Sequence, residues 1–201
     1  MKTSDKIASV IVLGLPVPVL LMLAGWWGSV PFISQNSLIF FLALAGFILG
    51  VVLDLTLLRH FIFRLFTLPL AALFAVAAFY SVMIYGFFMG FPVFNSLIGI
   101  VGTYIVVRKG LISLAPREAI LTEVRKMYLF SFILLFLFCV STAILSLREV
   151  SITSQLEGML SLPFEVTPLM VWLLILIGGA FLLAFQFIAS KLLCRHMLKN
   201  T

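Results

Sequence analysis

Leu65–Val107, LFTLPLAALFAVAAFYSVMIYGFFMGFPVFNSLIGIVGTYIVV, holds no charged side chain between Arg64 and Arg108. A helix needs about 20 apolar residues to cross hydrocarbon ~30 Å thick. The stretch therefore reads as two consecutive crossings with almost nothing left for the turn, which falls near Gly90 and Pro92. If Asn95 caps the second of these helices, Ser96–Val107 supply only ~18 Å before Arg108. Starting at Phe91 gives ~25 Å, still short of the core. Two forms are expected. One is a short helix whose Arg108 and Lys109 reach the headgroups by their apolar stems. The other is a partly unwound segment whose freed N–H and C=O groups face protein or a water-filled cavity, because lipid does not hydrogen-bond them.

The rest of the chain has the same character. Of 201 residues, 64% are hydrophobic and 10% are charged, and the mean hydropathy is +1.29. Soluble domains are roughly 45–50% apolar and about 25% charged. A chain this poor in charge cannot cover a water-facing surface, so lipid is the expected solvent. The net charge of +6 reads as a topological bias rather than as a nucleic-acid interface. Cys139 and Cys194 are too few for a disulfide framework and are read as free thiols. The N-terminal apolar run, Ile7–Trp27, exceeds the roughly 7–15 residues of a signal h-region and has no small-residue cleavage site after it. It reads as an uncleaved first span.

Six spans follow from apolar runs: residues 7–27, 38–58, 67–89, 91–107, 127–147 and 168–190. The fold class expected is all-α, a polytopic transmembrane bundle of six helices forming one integral membrane domain. Ser37 is the candidate cap of the second span. Thr167-Pro168 pairs a capping hydroxyl with proline at the first helical position of the sixth. Placing the N-terminus in the cytoplasm leaves Arg148 as the sole cation on the far side. The other twelve Lys and Arg residues fall on the near side. That asymmetry predicts cytoplasmic N- and C-termini in a cell membrane. Ser113–Lys126 reads as an amphipathic helix running into the fifth span. Ser154–Pro163 reads as a short surface helix with a Ser154–Glu157 capping box and an apolar face of Leu156, Met159 and Leu160. The echo of GLPV (Gly14–Val17) in GFPV (Gly90–Val93) falls mid-span in one copy and at a span end in the other, and reads as coincidence.

Few side chains carry chemistry. Asp54 is the one acid inside the runs drawn above, and an intramembrane carboxylate is by default a functional candidate. Two readings stand: an ion pair with Arg59 or Arg108, and a cation or proton site. Gln186 lies at similar reckoned depth and is assigned with Asp54 to an inner gate. Asn95, Ser96, Thr103 and Tyr104 supply polar atoms around the Gly/Pro-interrupted fourth span and are assigned as outer ligand contacts. Gly86-x-x-x-Gly90, Gly46-x-x-x-Gly50 and Ala180-x-x-x-Ala184 read as close-packing motifs. Cys194 and His196 offer two metal ligands where a zinc site needs at least three from the protein, so no metal and no cofactor are expected. No H-E-x-x-H, G-x-S-x-G or P-loop motif occurs, and no histidine matches the depth of the span serines, so no enzyme is expected.

Two classes of function remain. One is a small-solute carrier, or the substrate-binding membrane subunit of a transporter, with a small-molecule or ion ligand. The other is a non-transporting assembly or structural subunit with a membrane-protein partner or a second copy of itself. Size, six spans and cytoplasmic termini are similar in architecture to the substrate-binding subunits of energy-coupling-factor vitamin importers. Those subunits meet their partner through small residues spaced by three on the first span. Here that span has Ala8, Val12 and Gly14.

Overall fold

The computed structural model describes residues 3–87, 92–149, 152–161 and 163–199. Among them the chain is helical, without strands. Its elements are α1 (Thr3–Ser9), a π-helical turn (Val10–Gly14), α2 (Pro16–Ser29), α3 (Asn36–Thr56), α4 (Arg59–Ile62), a 3₁₀ turn (Leu65–Thr67), α5 (Leu70–Phe87), α6 (Asn95–Ile112), α7 (Arg117–Arg148), α8 (Ile152–Leu160) and α9 (Pro168–Lys199). Six stretches are long and apolar enough to cross a membrane: Asp5–Ser29, Asn36–Thr56, Leu70–Phe87, Asn95–Ile112, Arg117–Arg148 and Pro168–Lys199. These match the six expected spans with shifted ends. Both α7 and α9 run to 32 residues, because the amphipathic segment continues into the fifth span and the sixth continues through its basic end.

The helices gather into two compact units, one ending at Leu68 and the other beginning at Pro69. In the first unit, glycine brings backbones together. A Cβ on Gly25 would lie 2.6 Å from the Leu42 carbonyl oxygen. One on Gly46 would collide with the Leu21 carbonyl, and one on Gly50 with the backbone of Pro18. Gly46 and Gly50 therefore pack α3 against α2 within the chain. Without water to drive helices together, such close van der Waals contact is what holds a helix pair in lipid.

The first span is not one α-helix. Pro16 has no N–H to return to the carbonyl of Val12, and its ring crowds that carbonyl. The chain accommodates it by widening Val10–Gly14 into a π turn, one of the local adjustments that re-pair backbone groups beside proline.

In the second unit α6 is the interior helix. Half of its span window is buried, against 6–28% for the other five. Its glycines allow this: Gln186 of α9 lies over Gly99, Met127 of α7 over Gly102 and Ile120 of α7 over Gly110. The fourth crossing is an unbroken helix of 18 residues, ~27 Å long. Among the described residues the unwound form is not found. The helix gains length by running past Arg108 to Ile112, where Lys109 pairs with Glu123 at 3.1 Å. It ends in a Schellman-type turn, with Ala115 N–H donating to Gly110 O and Leu114 in the left-handed region at φ 52°.

Several local expectations are corrected. Asn95 is not the cap of α6: Phe94 holds that position and Asn95 is helical. Ser37 lies inside α3, which follows Gln35. Glu157 does not close a box at the start of α8, which begins at Ile152. Its carboxylate accepts from Val166 N–H at 2.5 Å. Gly86 has open space where its Cβ would be, and Ala180 and Ala184 are exposed, so no close helix contact forms at these three residues. The Gly90 turn, and the side chains of Leu156, Met159 and Leu160, lie outside what is described. Thr167 does cap α9, accepting from Met170 N–H at 3.3 Å.

Candidate functional site

In the first unit the residue of interest is Asp54, in the last turn of α3. It is only 6% exposed. Its Oδ1 has no hydrogen-bond partner, and among the described residues no ion pair joins it to Arg59. A helix C-terminus carries partial negative charge, which opposes a carboxylate there. Burial, an unsatisfied oxygen and the helix end all act against this side chain. Facing it are Gly14, closing the π turn, and Ile62 of α4. A Cβ placed on Gly14 would lie 3.8 Å from Asp54 Oδ2 and 3.6 Å from Ile62 Cδ1. π turns occur often at functional sites. Here the turn lies against the buried carboxylate.

A second buried acid escaped the sequence reading. The first apolar helix reaches back to Asp5, which is fully buried with Ser9 one turn on. Ser9 Oγ donates to Asp5 O at 2.9 Å. The signal was present in the i, i+4 spacing of Asp5 and Ser9, but the apolar run begins only at Ile7, after Lys2 and Lys6, which left Asp5 outside the expected span.

In the second unit the polar side chains line one seam. Asn95, Gly99 and Thr103 recur every four residues on α6 and face inward. Asn95 Nδ2 donates to Ser81 O of α5 at 2.9 Å, and Thr103 Oγ1 donates to Gly99 O at 2.8 Å. Gln186, seated on Gly99, donates through Nε2 to Ser131 Oγ of α7 at 2.9 Å. Ser131 in turn donates to Tyr128 O, and Tyr128 OH to Ser190 O. Ser96 is buried and donates to Val93 O, and Tyr104 is partly buried. The seam thus seats Gln186 on Gly99, one turn along α6 from Asn95 and from Thr103. Asp54 belongs to the first unit. Asn95 Oδ1 and Gln186 Oε1 are buried acceptors with no donor, and Ser190 Oγ is also unpartnered. Among the described residues no group of three His, Cys, Asp or Glu side chains is placed to hold a metal.

A cavity of about 180 Å³ lies between α7 and α9 in the second unit. Cys139, Thr142 and Ser146 face it from α7, and Leu174, Gly178 and Gly179 from α9. None of the six assigned ligand residues lines it.

Together these features define an all-helical protein with six apolar helices, compatible with a multi-pass membrane protein. Comparison with protein-family models, with curated proteins and with solved structures returns no match.

Proposed function

We propose that the protein is an ion-coupled carrier of a small solute, or the membrane subunit of such a carrier, with both termini in the cytoplasm. Asp54 is its cation or proton site. The observation that carries this reading is the Asp54 carboxylate, buried, unpaired at Oδ1 and set against a π turn. A side chain held at such cost inside a span has its usual explanation in a bound cation or a moving proton. Asn95 and Gln186, with buried acceptor oxygens, offer the solute contacts on this reading, and Ser96, Thr103 and Tyr104 flank them on α6. The test is reconstitution into vesicles containing a pH-sensitive dye, with imposed proton and Na⁺ gradients and a solute panel. Gradient-driven flux in wild type and its loss in Asp54→Asn are expected. Equal flux in the variant removes Asp54 from the mechanism.

A second reading, a non-transporting assembly or structural subunit, is favoured by the second unit. Its polar side chains close on one another and on backbone carbonyls instead of lining a passage. A carrier gains about 2.7 kcal/mol of stability at a hundred times its dissociation constant for solute. A structural subunit ignores every solute and co-purifies with a partner.

A further inference from the structure

We propose that the basic end of α9, with Arg125 of α7, is a site for an anionic phospholipid whose phosphate is held between Lys191 and Arg195. It is independent of the carrier reading and rests only on the apolar helices lying in a bilayer.

The outward face of α9 changes character at one level. Phe187, Ile188 and Leu192 are exposed apolar surface. Beyond Leu192 the exposed residues of the helix are Arg195, His196 and Lys199. The bilayer surface therefore crosses α9 near Leu192. Lys191, Arg195 and Lys199 recur at four-residue spacing, so they continue the stripe that begins at Phe187. Neighbours in such a stripe have Cβ atoms ~5–6 Å apart, close enough for one phosphate to accept from both.

Lys191 sets the depth. Its Nζ lies 5.7 Å from the centroid of the Phe187 ring, so the ammonium turns back by one turn toward the apolar side. A cation held there meets a lipid phosphate. An acidic protein segment arriving from water meets Arg195 and Lys199 first. The neighbouring helix adds a third cation. Tyr128 of α7 reaches across to α9, donating to Ser190 O at 2.9 Å with its ring 6.4 Å from that of Phe187. Arg125 precedes Tyr128 by three residues, on the same side of α7 and one turn nearer the basic end, and is exposed.

Charge selects the class of lipid. No acid occurs on α9 from Pro168 to Lys199. Among the described residues no carboxylate pairs with Lys191, Arg195 or Arg125. Of the two acids on the adjoining turns of α7, Glu123 is taken by Lys109 at 3.1 Å, and Glu118 lies about two turns beyond Arg125. A zwitterionic headgroup brings its own ammonium into this cationic surface. Phosphatidylglycerol brings the phosphate alone. Basic clusters just beyond a membrane helix attract anionic lipid in this way.

The test is native mass spectrometry of the full-length protein, extracted in detergent from vesicles of phosphatidylglycerol and phosphatidylcholine in equal amounts. Wild type is expected to retain phosphatidylglycerol over phosphatidylcholine by about twentyfold. Lys191→Gln should lower that preference about fivefold, the worth of one cation at the membrane surface, and adding Arg195→Gln should bring it near parity. Lys191→Arg should keep it. Arg148→Gln removes the same charge from the opposite end of α7 and should leave it unchanged. Circular dichroism checks that each variant folds, and Lys191→Met replaces Lys191→Gln if that protein is misfolded. Equal retention of the two lipids by wild type overturns the site, as does an equal fall in Arg148→Gln. Displacement of phosphatidylglycerol by excess inorganic phosphate, with phosphate bound in its place, overturns the lipid assignment.

Discussion

Neutralising Asp54 should make this protein more stable. An unsatisfied buried polar atom costs about 1–3 kcal/mol. The C-terminal end of a helix opposes a negative charge by a further ~0.3–1 kcal/mol. Asp54 is 94% buried by its 6% exposure, lacks a partner for Oδ1 and lies in the last turn of α3. Asp54→Asn keeps the volume, so no cavity or overpacking term enters, and it keeps an unpartnered polar side chain, so what it relieves is the opposition between the charge and the helix end. The expected gain is therefore ~0.3–1 kcal/mol, or a rise of ~1–4 °C in Tm at roughly 2–4 °C per kcal/mol for a chain of this size. The alternative, an ion pair holding the first unit together, makes the opposite forecast. Removing one partner of a buried pair costs about 3–5 kcal/mol. The assay is a thermal scan of tryptophan fluorescence in a Trp172→Phe background, in which Trp26 and Trp27 of α2 report on the unit that contains Asp54. A fall in Tm, or no change, refutes the reasoning, since it means the carboxylate is satisfied in the fold. A rise in Tm together with lost flux is the signature of a side chain retained for function at the expense of stability.

Gly46→Val and Gly50→Val should each destabilise the first unit by about 1–3 kcal/mol through overpacking, because the obstructing atoms are backbone. Gly28→Ala, with open space around it, should lower neither Tm nor yield in the same scan. Ser131→Ala should cost ~1–3 kcal/mol by leaving Gln186 unpaired, whereas the double variant with Gln186→Leu should recover most of that loss, a non-additivity read by a double-mutant cycle. Cysteines placed at Lys126 and Glu165, in a background lacking Cys139 and Cys194, should react with an impermeant maleimide from opposite sides of the membrane. Labelling of both from one side would overturn the proposed orientation.

Some of the local structure was legible one residue at a time. Thr167-Pro168 announced the start of α9, since a hydroxyl acceptor and a missing N–H act within one turn. Gly46 and Gly50 announced a close helix contact. Gly86, Ala180 and Ala184 carried the same kind of motif without the contact, because spacing shows that a face is smooth and not what lies against it. Gln186 was reckoned by its distance from a span end. The structure seats it on Gly99, one turn from Asn95 and Thr103 along α6. Asp5 was missed for a related reason: burial at a helix start depends on neighbours, and the apolar run that marks the first span begins only at Ile7.

The amino-acid sequence by itself determined the all-helical class and the number of long apolar helices. Each of those is a sum of per-residue transfer energies along contiguous chain, against the fixed demand that backbone groups in lipid be paired within a helix. Tertiary structure alone decided that Asp54 is buried without an ion pair to Arg59, that Pro16 is absorbed by a π turn rather than a break, and that α6 is the interior helix of its unit. It also decided that Cys139, Thr142 and Ser146 face two glycines across a slot. Those facts depend on which helix faces come together, and in lipid that choice rests on close packing between distant segments, which no local pattern encodes.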